Sequence, residues 1–211
     1  MIVELLSGLV VSVEIFVFTL AIALPLGFVI ALGRMNRNTV VSGIFRGYIS
    51  VVRGTPLMLQ ILFVYFAPYF IFGLPLSGYP RLLATVLAFS FNYAAYFAEI
   101  YRGGILSVDR GQTEAAVALG MPKGLLFMRI ILPQTIKRVI PAIGNEVITL
   151  VKDTSLAFTI AVTEMFTLAK QLSSANTTMV PLVAAGVFYY IFNFIVAWVM
   201  ERIEKRLAYY D

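Results

Sequence analysis

Residues 114–133 read E-A-A-V-A-L-G-M-P-K-G-L-L-F-M-R-I-I-L-P, a stretch with polar edges between two long apolar segments. These residue types predict two short helices joined by a turn. A carboxylate such as Glu114 is favoured in the first turn of a helix, and Gly120 followed by Pro122 is typical of a helix end. Pro122 is suited to the first position of the second helix, which Pro133 should end.

The first of these helices carries small side chains on one face, where Ala115, Ala116 and Ala118 lie beside Leu119. A face this small fits closely into a groove on another protein, so we predict a docking surface. The alternative is an amphipathic helix that only connects two membrane spans and has no partner.

The spacing within the stretch is E-A-A, three residues, G, nine residues, I, one residue, L-P. It resembles the signature cytoplasmic loop of ATP-binding-cassette (ABC) importer permeases, which docks into the ATPase subunit in that family. The resemblance implies a coupling loop at about residues 105–135. The residues that would contact the ATPase are Glu114, Ala115, Ala116, Leu119 and Gly120.

The composition is that of an integral membrane protein. Hydrophobic residues make up 60% of the 211 residues, charged residues make up 13%, and the mean hydropathy is +0.90. The surface of a soluble domain is far more polar. The sequence has no cysteine and no histidine, which removes thiol chemistry, histidine bases and the usual ligands of a transition metal. We therefore expect neither a metal site nor enzymatic activity in this chain.

Long uncharged runs predict an all-α fold with five transmembrane helices in a single domain, residues 1–211. Residues 34–53, which carry four arginines, are expected to form a cytoplasmic loop. A turn-rich external loop should occupy about residues 73–80, and the pair Gly103-Gly104 should end the third span. The spans are predicted at residues 15–33, 56–72, 81–103, 139–165 and 181–200.

The basic residues predict the orientation, because lysine and arginine are retained on the cytoplasmic side during insertion. Thirteen of the sixteen lie after the first span, around the signature stretch or in the C-terminal tail. Arg81 and Lys170 fall on the opposite side, and Lys152 falls within a helix. We expect an external N-terminus and a cytoplasmic C-terminus in a bacterial or archaeal cytoplasmic membrane. The net charge of +5 then reflects topology, and we predict no nucleic-acid partner.

Three further stretches extend the resemblance over about residues 53–164. Together they resemble the polar amino-acid uptake branch of the binding-protein-dependent importer permeases, which includes permeases for basic amino acids and for glutamine. The resemblance implies the type I ABC importer permease fold. The stretches are Arg53-Gly54-Thr55-Pro56-Leu57, Ala94-Ala95-Tyr96-Phe97-Ala98-Glu99-Ile100 leading into Arg102-Gly103-Gly104, and Gly144-Asn145-Glu146 followed by Lys152-Asp153-Thr154-Ser155-Leu156.

Charged residues within the fourth predicted span indicate a pathway. A carboxylate at bilayer depth costs about 2.5–3.5 kcal/mol, so it normally faces the bundle interior or water. Glu146 and Asp153 are seven residues apart and share one helix face with Thr149. Lys152 points elsewhere and is expected to pair with a carboxylate on another helix, such as Glu99. The alternative is that these charges only hold the bundle together.

The third predicted span carries a second polar stripe of Asn92, Tyr96 and Glu99 at helical spacing. Taken alone, Asn92 is favoured to join helices by hydrogen bonds only, and Tyr96 is similar. The candidate substrate contacts are Asn92, Glu146, Thr149, Asp153 and Ser155.

The sequence has no G-x-x-x-x-G-K-[S/T] phosphate loop. Cofactors are therefore not expected in this chain, and ATP and Mg²⁺ would bind to a partner. Five helices are few for a pathway, which suggests a homodimer. The resemblance implies two permease copies, two ATPase subunits and an extracytoplasmic amino-acid-binding protein.

Two carboxylates per copy favour a basic amino acid such as arginine, lysine or histidine. Glutamine or another polar amino acid stays open, because the acidic motifs resemble a pattern shared across the branch. A secondary transporter is less favoured because no internal repeat is visible. A non-transporting membrane partner would not need the intramembrane carboxylates.

Overall fold

In the computed structural model, residues 1–76 and 80–207 are described, and every regular element among them is helical. A π-helical segment, Phe127–Ile131, joins α6 to α7, and a 3₁₀ segment, Thr154–Ile160, follows α7. The predicted all-α class is confirmed. The α-helices are α1 (Ile2–Arg34), α2 (Thr39–Gly54), α3 (Leu57–Phe72), α4 (Arg81–Leu106), α5 (Arg110–Ala118), α6 (Lys123–Leu126), α7 (Leu132–Asp153), α8 (Met165–Asn176) and α9 (Val180–Leu207).

Within the described residues, α1, α4 and α9 are long and apolar enough to cross a membrane. The pair α2 and α3 would supply a fourth span, broken by a bend of 111°. Alone, the 16 residues of α3 extend about 24 Å, less than the ~30 Å hydrocarbon core. The described helices thus give three or four spans by length and composition, where the sequence predicted five.

Two predicted boundaries on the N-terminal side are wrong. The first helix begins at Ile2 and includes Glu14, because its charged residues do not interrupt helical hydrogen bonding. Residues 34–53 are not a loop, since most of them form α2. Asn38 stabilises the start of α2 because its side chain accepts hydrogen bonds from the backbone of Val40 and Val41, at 2.9 and 3.4 Å. The loop predicted at residues 73–80 falls partly on 77–79, which lie outside the described residues.

Gly103 and Gly104 do not end the third helix, because α4 continues to Leu106. A Cβ atom added at Gly104 would collide with the side chain of Val139. Gly104 therefore allows α4 and α7 to approach closely. Glycine is a poor helix former, and the packing of the two helices offsets that cost.

The region around the fourth predicted span, residues 139–165, has other helix boundaries than those predicted. Pro133 does not end a helix, because it lies in the first turn of α7, where a missing N–H is tolerated. The α-helix then ends at Asp153 and not near residue 165, and a 3₁₀ segment follows. Ala161 closes that segment with φ of 55° in the left-handed region.

In the core, α4 is packed against α1, α2, α3 and α7. Small side chains allow the close contact between α1 and α4. Ala23 and Ala31 of α1 and Ala94 and Ala98 of α4 are all fully buried. A Cβ atom at Gly27 would lie 2.8 Å from Cβ of Phe97 and 3.0 Å from the carbonyl oxygen of Ala94. Small residues allow this close approach between membrane helices, and α4 thereby becomes the central helix of the bundle.

Glu164 is a fully buried carboxylate that the sequence analysis did not single out. It precedes α8 and accepts hydrogen bonds from the backbone of Phe166 and Thr167, both at 2.7 Å. The hydroxyls of Thr167 (2.8 Å), Tyr189 (2.9 Å) and Ser12 (3.4 Å) also donate to it. One side chain thus caps α8 and joins that helix to α1 and α9.

We predict that Glu164→Ala destabilises the bundle, because it removes the cap and the carboxylate to which the hydroxyl of Tyr189 donates. Loss of a helix cap alone costs about 0.5–2 kcal/mol, and buried unpaired donors add to this. The melting temperature in detergent should fall clearly for Glu164→Ala and less for Glu164→Gln, which keeps an acceptor oxygen. Glu204→Ala, at an exposed site, is the control. Equal melting temperatures for Glu164→Ala and this control would contradict the assigned role.

Candidate functional site

A pocket of about 220 Å³ lies where the start of α3 meets α4 and α7. Drug-sized ligands occupy pockets of roughly 300–1,000 Å³, so this volume suits something smaller, such as one amino acid. The lining combines carboxylates, hydroxyls, an amide and aromatic rings. The lining residues are Thr55, Pro56, Leu57, Asn92, Tyr93, Tyr96, Glu146, Thr149 and Asp153.

One face of α7 supplies the acidic wall of the pocket. Glu146, Thr149 and Asp153 are all partly buried and all line it. The hydroxyl of Tyr93 donates a hydrogen bond of 2.7 Å to Oδ2 of Asp153. The carboxylate of Glu146 has no ion pair or hydrogen bond with any other part of the described chain. The pocket therefore holds two carboxylates and has donors from the protein for only one of them.

The opposite wall depends on the break between α2 and α3. The side-chain amide of Gln60 donates to the carbonyl of Val52 at 2.8 Å and to the hydroxyl of Thr55 at 2.9 Å. Its oxygen accepts a hydrogen bond of 3.0 Å from Asn92, which is buried. Pro56 directly precedes α3, at a position where no backbone N–H donor is needed. This network holds Thr55 and Pro56 at the pocket and orients Asn92.

Four of the five predicted substrate contacts share this pocket: Asn92, Glu146, Thr149 and Asp153. Ser155 is not among the lining residues, because it lies on the 3₁₀ segment, where its hydroxyl donates to the carbonyl of Lys152 at 2.8 Å.

The expected pairing of Lys152 with Glu99 is wrong. Glu99 pairs instead with Arg102, with an NH2 to Oε2 distance of 2.7 Å. The Nε atom of Arg102 also donates to the same carboxylate, at 3.0 Å. A partner one turn away on the same helix is available without any constraint from tertiary packing, and it therefore takes this carboxylate.

Sequence reasoning missed Tyr93, Thr55, Pro56 and Leu57 as pocket residues, and it favoured a helix-joining hydrogen bond as the role of Tyr96. Two signals were available. Tyr93 stands three residues before Tyr96 and therefore shares its helix face. Thr55 and Pro56 belong to the Arg53–Leu57 stretch that resembles the family, which is the second signal.

The helix of the signature stretch differs from the prediction at its start and agrees at its end. Asp109 caps α5 by accepting a hydrogen bond from the backbone of Gly111 at 2.6 Å, so Glu114 lies beyond the first turn. Gly120 has φ of 73°, and the backbone N–H of Met121 donates to the carbonyl of Ala116 at 3.0 Å. This is the left-handed helix end that glycine favours.

The exposed surface of this loop contains most of the predicted docking residues. Glu114, Ala115, Leu119 and Gly120 are exposed, and 84% of the Leu119 surface is accessible. Ala116 is the exception, because it is buried against the rest of the chain. The guanidinium of Arg138 donates to the carbonyl and hydroxyl oxygens of Ser107 and so ties the start of the loop to α7.

These features define a polytopic helical membrane protein with a small acidic pocket and an exposed loop of two short helices. A family model described as "Binding-protein-dependent transport system inner membrane component" matches residues 23–209, so the chain belongs to this family. Its structure is similar to the "Crystal structure of an amino acid ABC transporter with histidines", with a TM-score of 0.87 and 31% identity. The match covers 96% of this chain and 94% of that one, and the chain has the type I ABC importer permease fold.

Two relatives extend the comparison across nearly the whole chain. The arginine transport system permease protein ArtQ of Bacillus subtilis is 39% identical over 98% of this chain and 94% of its own length. The putative glutamine transport system permease protein GlnP of Rickettsia felis is 33% identical over 96% of this chain and 92% of its own length. The relatives thus carry names for different amino acids.

Proposed function

We propose that this chain is the transmembrane permease subunit of an ATP-driven importer for a basic amino acid, namely arginine, lysine or histidine. The observation that carries the proposal is the pair of partly buried carboxylates, Glu146 and Asp153, facing one amino-acid-sized pocket. A cationic side chain of the substrate would supply the positive counter-charge that these two carboxylates lack. The similarity to a permease named for arginine transport supports the same substrate class.

Glutamine or another polar amino acid is the second candidate. Asn92, Thr55 and Thr149 add neutral polar groups to the lining, and one relative is named for glutamine. Membership of the binding-protein-dependent family makes a secondary transporter the less favoured alternative.

The proposed topology has five spans in one permease domain, residues 1–211. They are α1, the bent pair α2 and α3, α4, α7 and α9. Although α7 is too charged to be counted by hydropathy, its acidic face lines the pocket, and its charges would therefore avoid lipid. With the basic residues inside, the N-terminus is outside and the C-terminus is cytoplasmic.

The proposed assembly contains two copies of this chain, two ATPase subunits that bind ATP and Mg²⁺, and an extracytoplasmic binding protein. The loop would dock into the ATPase through Glu114, Ala115, Leu119 and Gly120. From Lys123 to Asp153 the chain stays helical. Movement of the docked loop would therefore reach the pocket carboxylates through one helical segment, and ATP would shift the balance between two states of the pathway.

We predict that Glu146→Gln and Asp153→Asn weaken arginine binding to the complete transporter far more than glutamine binding. A charge-assisted hydrogen bond contributes about 1.5–3 kcal/mol, so the Kd for arginine should rise at least about tenfold. Isothermal titration of the detergent-purified complex with each ligand measures both effects. Glu204→Gln, which neutralises an exposed carboxylate, is the control.

Equal losses for the two ligands would assign these carboxylates to the architecture of the bundle. Unchanged binding of both ligands in both variants would show that the substrate binds at another part of the chain.

We predict that Gly120→Val lowers transport and ATPase stimulation together while the protein still inserts into the membrane. The left-handed backbone of Gly120 costs about 1–2 kcal/mol for other residues, and more for a β-branched one. Gly124→Val is the matched control, because Gly124 lies in the same loop, has open space around it and lacks a positive φ. Normal transport by Gly120→Val with the ATPase attached would argue against docking through this loop.

The orientation can be tested with single cysteines, because the natural sequence has none. Both Ser174 and Gln112 are exposed. A membrane-impermeant maleimide should label Ser174→Cys in intact cells and should label Gln112→Cys only after lysis. Labelling of Gln112→Cys from outside would reverse the proposed topology.

A further inference from the structure

Arg53 lies at the edge of the acidic pocket, next to the break between α2 and α3. It is the last residue but one of α2, and Thr55 and Pro56 directly after it line the pocket. Its guanidinium carbon lies 5.0 Å from the ring centroid of Tyr96, which is another lining residue. A cation is therefore held by an aromatic ring at the pocket and not by a carboxylate.

Arg53 has no ion pair with the described residues, 1–76 and 80–207. The nearby carboxylate of Glu99 is already engaged by two nitrogen atoms of Arg102. The carboxylate of Glu146, in contrast, has no ion pair with the described residues, and it lines the same pocket as Tyr96, on which Arg53 rests. The chain thus keeps a cation and an unpaired carboxylate beside the same small pocket.

The two carboxylates lie toward different ends of the pocket. Tyr93 contacts Asp153, whereas Gly104 packs against Val139, so α4 and α7 run antiparallel. In the proposed topology α7 runs outward, which places Asp153 toward the outside and Glu146 about two helical turns nearer the cytosol. Arg53 rests on Tyr96, which follows Tyr93 by three residues on the inward-running α4. Arg53 therefore lies on the Glu146 side of the pocket, where an imported amino acid leaves.

We propose that Arg53 competes with the cationic side chain of the transported amino acid for Glu146 and so weakens binding at the cytoplasmic end of the pocket. A contact with an aromatic ring and an exposed ion pair have similar strengths, so the long side chain can exchange between Tyr96 and Glu146. Displacing the substrate from Glu146 would favour its release to the cytosol. The proposal rests on the proposed function, because it requires a cationic substrate in this pocket.

The test is the Kd for L-arginine of the detergent-purified complete transporter. Removing the charge with Arg53→Gln should tighten binding by about threefold to tenfold, because the competing ion pair is weak and partly exposed. Arg53→Lys keeps the charge and should bind nearly as the natural protein does. Arg46→Gln, at an exposed position two turns earlier on α2, is the matched control and should change nothing.

A second set of variants separates this proposal from the proposed function. In a Glu146→Gln background, Arg53→Gln should have no further effect, because the carboxylate for which it competes is gone. Unchanged or weaker arginine binding by Arg53→Gln alone would overturn the proposed competition. A gain in arginine affinity that persists in the Glu146→Gln background would overturn it too. The proposed function fails in a different way, when Glu146→Gln and Asp153→Asn alone leave arginine binding unchanged. Tighter binding cannot result from misfolding, and thermal melting confirms that each variant is intact.

Discussion

Inside a bilayer a carboxylate needs hydrogen bonds, a counter-ion or water, and four buried or partly buried carboxylates of this chain meet that need in different ways. Glu164 is fully buried and accepts hydrogen bonds from α1, α8 and α9. Glu99 pairs with Arg102 on its own helix. Glu146 and Asp153 instead face a pocket, where water or a ligand can meet their charge. The way each carboxylate is satisfied therefore separates those engaged by the fold from those that face the pocket.

The pocket lies where the chain departs from uninterrupted α-helical geometry at two places. The chain bends by 111° between α2 and α3, and Gln60 holds that bend by hydrogen bonds to Val52, Thr55 and Asn92. The α-helix of α7 ends directly at Asp153 and continues as a 3₁₀ segment. Irregular backbone inside a membrane is tolerated where protein or a cavity surrounds it. These interruptions place side chains of α3, α4 and α7 around one small volume.

The exposed loop and the pocket are connected through the same helical segment. A π-helical segment, Phe127–Ile131, lies between the short helix α6 and α7, and such segments often occur at functional sites. In the type I permease fold, this geometry gives a physical route from the exposed loop to the pocket carboxylates. Arg53 adds a cation at the pocket, so the site contains groups of both signs.

Local residue type and spacing determined the membrane class, the glycine end of α5 and the shared face of Glu146 and Asp153, because these depend only on neighbours along the chain. The sequence did not predict α2, the end of α7 at Asp153 or the burial of Ala116, because propensity and hydropathy do not include packing partners. Only the tertiary structure decided that Tyr93 bonds to Asp153 across 60 residues. That contact depends on how closely α4 and α7 approach, which is a property of the packed bundle and not of any local pattern.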